Sequence, residues 1–265
     1  MKYSKFFKIS LLLFVILLFI LILVFLPTKR ENFDLDGNIE SSNKYTAIII
    51  EPRRHEALEY VLRNFLENLD DDWNVILFHG NLNKDFSENI IYNNLNEYKH
   101  RISIVNLNID NLTIPEYSSI FLSKEFYDII PTEVFLVFQT DAIICSKFKH
   151  FIYDFIKYDY VGAPLGDGIV GNGGLSLRRK SKMLEILDKC KNLDGIQQSY
   201  EDVLFSIPCE EVTDYNKPST EEAKNFSIEK ILNDKSFGLH KAYKYHGTET
   251  IKQWCPEIEK LALLQ

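Results

Sequence analysis

The feature that most constrains this fold is a series of apolar runs: YTAIIIEPR (45–53), WNVILFHG (73–80), RISIVNL (101–107) and VFLVFQTDAIIC (134–145). Between them lie stretches of helical period. HEALEYVLRNFLENL (55–69) puts Leu58, Val61, Leu62, Phe65 and Leu69 on one face, and further helices are expected near Ser87–Tyr98 and Ser119–Ile129. Strands alternating with helices imply right-handed crossovers and a mainly parallel sheet covered on both faces. A strand buried on both faces has no polar alternation, so its sequence reads as an apolar run. The expected class is α/β with a mainly parallel central sheet.

One segment does not belong to such a domain. Ile9 to Leu26 is 18 residues without a charge, which as a helix covers roughly 27 Å, close to a hydrocarbon thickness. A cleaved signal peptide has a shorter apolar region ending at small residues, and Leu26-Pro27-Thr28-Lys29 offers no such site. Lys2, Lys5 and Lys8 precede the span, which favours a cytoplasmic amino terminus. The expected organisation is a cytoplasmic tail (1–8), a transmembrane signal anchor (9–26), a polar stem (27–44) and one domain (45–265). This is a type II single-pass arrangement, with the domain in the lumen of the Golgi or endoplasmic reticulum or outside the cell. Asn111-Leu112-Thr113 and Asn225-Phe226-Ser227 are glycosylation sequons that agree with that side of the membrane. Four cysteines, Cys145, Cys190, Cys209 and Cys255, permit two disulfides and show no C-x-x-C spacing.

Net charge is −8, and it is more negative still once the three amino-terminal lysines are set aside. Nucleic acid is therefore excluded as an expected partner. A small anion can still bind if a cation or a local basic cluster offsets the repulsion.

Several residues are candidates for chemistry. Asp141 stands among Phe135, Val137, Phe138, Ile143 and Ile144, where an ionised carboxylate is costly unless a positive group meets it. A divalent cation that also touches a diphosphate would meet it. In VGNGGLSLRRKSKML (170–184), Gly171, Gly173 and Gly174 let backbone approach a ligand or turn sharply, while Arg178, Arg179, Lys180 and Lys182 either touch phosphate or form a solvated face. Gly166, Gly168 and Gly171 formally match G-x-G-x-x-G, yet they lie late in the chain and lead into a strand-like segment, so the match is rejected. Ser199 to Asp202 fits a capping box, and Glu201 or Asp202 at that helix start could also accept the proton of an attacking hydroxyl. His240 and His246 follow a final strand, and a histidine there could join Asp141 on a metal.

In this order, the blocks IIIEPR, VLRNFLENLDDDWNVILFHG, FLVFQTDAII, YDYVGAPL, GNGGLSLRRKSKML, EDVLF and FGLH resemble an uncharacterised glycosyltransferase-like family, a domain of unknown function, over residues 45 to 245. That family is in turn similar to the GT-A glycosyltransferases. The resemblance implies a Rossmann-type nucleotide-diphospho-sugar transferase domain and a divalent cation, Mn2+ or Mg2+, on Asp141 and His240. Gln139-Thr140-Asp141 would occupy the place of a D-x-D motif, with Gln139 replacing its first acid. Glu51, Arg53, His79, Gln139, Thr140, Asp141, Asn172, Gly173, Gly174 and Arg178 would contact substrate. Asp202, or else Glu201, would supply the base of an inverting enzyme. Leu165 departs from the family, which carries Trp at that place.

The implied reaction moves a sugar from a nucleotide-sugar donor to a hydroxyl of a glycan, protein or lipid. The rival expectations are a non-catalytic sugar or nucleotide-sugar binding module on a membrane anchor, and an oxidoreductase using the rejected glycine match.

Overall fold

The computed structural model describes residues 34–36, 43–166, 169–190 and 200–265, all within one of the two compact units into which the chain divides, 33–265. The expected tail and anchor lie outside these residues, as does most of the stem. Among the described residues no helix is long and apolar enough to cross a membrane.

The strands of the main sheet are β1 (Asp34–Asp36), β2 (Tyr45–Ile50), β3 (Trp73–His79), β4 (Ile102–Asn106), β5 (Val134–Phe138), β7 (Tyr160–Gly162) and β10 (Leu175–Arg179). A second sheet holds β6 (Ala142–Ile144), β11 (Ser227–Ile228) and β12 (Gly238–His240), and β8 (Pro164–Gly166) pairs with β9 (Ile169–Val170). The seven strands run in the order β1-β4-β3-β2-β5-β10-β7. β4, β3, β2 and β5 are mutually parallel, while β1 and β10 join antiparallel. The stem thus gives three residues to the sheet, because the outer edge of β4 leaves backbone groups free to pair.

Side-chain alternation sends Ala47, Ile49, Val75, Leu77, Leu136 and Phe138 into one core and Ile48, Ile50, Ile76, Phe78, Phe135 and Val137 into the other. Both faces are covered, as the unbroken apolar runs require. On the first face lies α1 (Leu58–Asn68), burying Leu58, Val61, Leu62, Phe65 and Leu66. The second face is covered by α3 (Ile114–Leu122), α4 (Lys124–Ile129), α5 (Lys180–Lys189) and α6 (Glu201–Ser206); a short α2 (Lys84–Asn89) follows β3.

Three expectations change. The run 134–145 is not one strand: β5 ends at Phe138, residues 139–141 turn, and β6 enters the second sheet. The helix expected near Ser119–Ile129 is two helices, broken where Ser123 turns extended (φ −89°, ψ 128°). The stretch near Ser87–Tyr98 passes from α2 through a π turn, Ile90–Asn94, to a 3-10 turn, Asn96–Arg101, and its asparagines are poor helix formers.

Two disulfides join the four cysteines: Cys145 to Cys255 and Cys190 to Cys209. The G-x-G-x-x-G match opens no helix, since its described residues border the β8–β9 hairpin.

Candidate active site

The strand order fixes where a ligand can enter. From β2 the chain steps outward through β3 and β4 and then returns to place β5 on the other side of β2. Such a reversal parts the two connecting loops beyond the carboxyl ends of the strands and opens a crevice between them. A cleft of about 320 Å³ lies there. Glu51 and Arg53 line it after β2, Gln139, Thr140 and Asp141 after β5, and Asn172, Gly173 and Gly174 before β10.

Its acids have different partners. Glu51 is buried and takes the Arg53 side chain bidentately, with Nε and Nη2 each at 2.8 Å; the backbone N–H of Arg53 donates to the same carboxylate. Asn83 secures this loop by donating to the Glu51 and Arg53 carbonyls while accepting from Gly80. Thr140 Oγ1 lies 3.4 Å from Glu51 Oε2, linking the loops after β2 and β5.

Asp141 owes its place to register. It immediately precedes β6, whose Ala142 pairs with His240 of β12, and Asn64 of α1 grips Ile144 of β6 through both its amide and its carbonyl. His240 Nε2 consequently lies 3.1 Å from Asp141 Oδ1, and Lys241 Nζ lies 3.6 Å from Oδ2. Burial opposes ionisation of Asp141, yet His240 and the positive charges of Lys241 and Lys244 hold its carboxyl well below the usual range. Burial likewise pulls the His240 imidazole down, and Asp141 and Glu229 more than reverse it.

Glu201 is buried between Ser118, whose Oγ donates to Oε2 at 2.7 Å, and Arg178, 3.3 Å from Oε1. Asp202 has no ion-pair partner among the described residues; its Oδ2 accepts the Gly173 N–H at 3.2 Å. Burial first, and then the Glu201 charge, push its pKa up. α6 begins at Glu201 with Tyr200 as its cap, and Ser199, the first residue of the expected capping box, lies outside the described residues. Asp202 turns its carboxylate to the glycine loop.

The glycines are steric necessities. A Cβ on Gly174 would come within 2.1 Å of His240 Nε2, and one on Gly173 within 2.7 Å of Glu201 Oε1. Either would fill the cleft floor.

Most of the expected positions meet here: Glu51, Arg53, Gln139, Thr140, Asp141, Asn172, Gly173, Gly174, Glu201, Asp202 and His240. Arg178 and His79 do not. Arg178 is fully buried behind the floor, its guanidinium 4.4 Å from the Phe121 ring centre and also facing Tyr160 and Phe205. His79 is the last residue of β3 and is buried, with Nδ1 on the Gly80 carbonyl. Sequence reasoning missed Tyr117, Ser118, Tyr200 and Lys241, which also line the cleft. Lys241 alone left a trace, as the basic residue directly after His240.

The donor set can be tested against a divalent cation. Among the described residues no group of three His, Cys, Asp or Glu is placed to hold a metal. Asp141 Oδ1 and His240 Nε2 are nevertheless buried and lack a well-aligned hydrogen bond. Their 3.1 Å separation is the span of adjacent ligands on an ion with bonds of about 2.1 Å. The pair fits an ion that takes the rest of its shell from phosphate oxygens and water, as such cations commonly do.

A family profile described as "Protein of unknown function (DUF5672)" matches residues 101–240, a little over half of the chain. No curated protein matches it. Among solved structures the chain is similar to the apo form of the glycosyltransferase GlyE of Streptococcus pneumoniae TIGR4. The TM-score is 0.47 at 11% identity, over 75% of this chain and 54% of that one. It is also similar to the mannosyltransferase PcManGT of Pyrobaculum calidifontis, in complex with GDP-Man and Mn2+. Here the TM-score is 0.43 at 10% identity, over 65% of this chain and 54% of that one. The chain thus spans about half the length of each.

Proposed function

Because the chain belongs to the protein family of unknown function DUF5672, its activity must be drawn from its own cleft, and we propose that it transfers a sugar from a nucleotide-sugar donor to a hydroxyl acceptor. The observation that carries this is the division of labour among the cleft's acids. Glu51 and Glu201 are satisfied by arginines, Asp141 faces a cluster of positive groups, and Asp202 alone lacks a cation among the described residues. A charge-stabilising end and a proton-accepting end therefore stand on opposite sides of a glycine floor.

The acceptor oxygen attacks the anomeric carbon of the donor as its proton passes to Asp202, whose raised pKa suits it to a general base. The bond from that carbon to the diphosphate oxygen breaks, and its electron pair leaves with the nucleoside diphosphate. Lys241 and Arg53 face the developing negative charge. A divalent cation held by Asp141 and His240 would add Lewis-acid stabilisation of the leaving group. Gly173 and Gly174 let His240 and Glu201 close against the cleft floor, and an acceptor attacking opposite the leaving group would give inversion.

A non-catalytic nucleotide-sugar binding module is the second reading, favoured by the uncharged Gln139 and by the cations already beside Asp141. The anchor at 9–26 would place the domain in the secretory lumen or outside the cell, and the two disulfides support an oxidising surrounding.

The test is a panel of nucleotide sugars with the full chain, with and without Mn2+, reading nucleoside diphosphate release. Release from one donor supports the enzyme. Thermal stabilisation by a donor with no release in any acceptor mixture favours the binding module.

A further inference from the structure

Behind His240 lies a second carboxylate that the reaction above does not use. Glu229 directly follows β11, whose residues Ser227 and Ile228 pair in parallel with Gly238 and Leu239 of β12. The next step of that register sets Glu229 beside His240. Its side chain is 6% exposed, and Oε2 lies 3.7 Å from His240 Nδ1, on the ring edge away from Asp141. Both Oε2 and Nδ1 are buried without a hydrogen-bond partner. No lysine or arginine pairs with Glu229 among the described residues. Its backbone is held in turn, since its carbonyl contacts His246 Nε2 at 2.9 Å. An unpaired carboxylate in such a place is costly, so the imidazole is its natural counterpart.

We propose that Glu229 is the positioning residue of His240: its carboxylate accepts a hydrogen bond from Nδ1–H, so the Nε2 lone pair faces Asp141 and the cleft as a ligand for a divalent cation. The inference rests on the metal-assisted form of the proposed function. A histidine whose other nitrogen donates to a carboxylate is fixed in tautomer and ring orientation and made more basic, and loss of such a partner costs roughly 10–100-fold in metal affinity. A structural ion pair between β11 and β12 would instead affect stability and leave metal affinity alone.

The experiment titrates Mn2+ into the full chain and into Glu229→Gln and His240→Ala variants, following the free ion by EPR, with thermal melts of each. The expected result is a Mn2+ affinity about 10–100-fold weaker in Glu229→Gln and its loss in His240→Ala. Wild-type affinity in Glu229→Gln alongside loss in His240→Ala overturns the role of Glu229 and leaves the metal reading standing. Absence of Mn2+ binding in the wild type, with sugar transfer intact, overturns the metal reading and this inference with it. Should Glu229→Gln fail to fold, the imidazole 15N spectrum of the Mg2+-loaded wild type decides. A proton on His240 Nδ1 with Nε2 unprotonated supports the proposal, and a protonated Nε2 refutes it.

Discussion

Asp202 carries a cost that its position explains. Burial and the neighbouring Glu201 charge raise its pKa in the folded chain, so between the ordinary carboxylate value and that raised value the folded state holds more protons than the unfolded one. Stability therefore falls as pH rises through this window, and the loss is complete above it. Asp202→Asn should remove that loss while keeping an oxygen for the Gly173 N–H. We expect its melting temperature at neutral pH to exceed that of the wild type, with the difference vanishing below the ordinary carboxylate range. Turnover should drop about 10²–10⁴-fold with donor affinity unchanged. The acid limb of kcat/KM in the wild type should lie above the ordinary carboxylate range, since the base must be ionised. Arg178 is the opposite case, a charge whose role is internal. Arg178→Met would strand Glu201 as a buried unpaired acid and should destabilise by about 3–5 kcal/mol, read as a shift in the urea midpoint.

At the scale of elements, the parallel strands were legible because burial on both faces leaves an apolar run that few other structures produce. The break within 134–145 was not, since β5 and β6 are both buried and only residues 139–141 betray a turn. Asp141 was singled out because an acid in an apolar run stands out, and Asp202 because it sits at a helix start; the fold brings both to the cleft. Arg178 was misread because it opens a run of basic residues, and its cage of Phe121, Tyr160 and Phe205 comes from three separate segments. Tyr117 and Ser118 reach the cleft on α3 only through packing, which leaves no local pattern. The approach of the β10 loop to β12 was equally hidden, yet it is sharply testable. Gly174→Ala puts a methyl group where His240 Nε2 stands, and overpacking of this kind costs about 1–3 kcal/mol. Transfer activity should fall with it, whereas Gly166→Ala, whose added Cβ meets nothing within 4 Å, should leave transfer unaffected despite its strained φ.

At the scale of the molecule, two covalent ties secure segments that carry or adjoin cleft residues. Cys145–Cys255 joins the end of β6 to the carboxyl-terminal helices across 110 residues, and Cys190–Cys209 closes a loop of 19. On the chain-entropy account the first contributes about 4–5 kcal/mol and the second about 3. Paired Cys→Ser replacements should lower the urea midpoint in that order. The account as a whole depends on a nucleoside diphosphate entering where the strand order reverses, between β2 and β5. A crystal structure of the full chain with a turned-over nucleotide sugar and Mn2+ measures this directly. Diphosphate density beside Asp141, His240 and Lys241, with the sugar over Gly173 and Gly174, is the predicted result. Density for the nucleotide on any other face, with that cleft still filled by solvent, would contradict it.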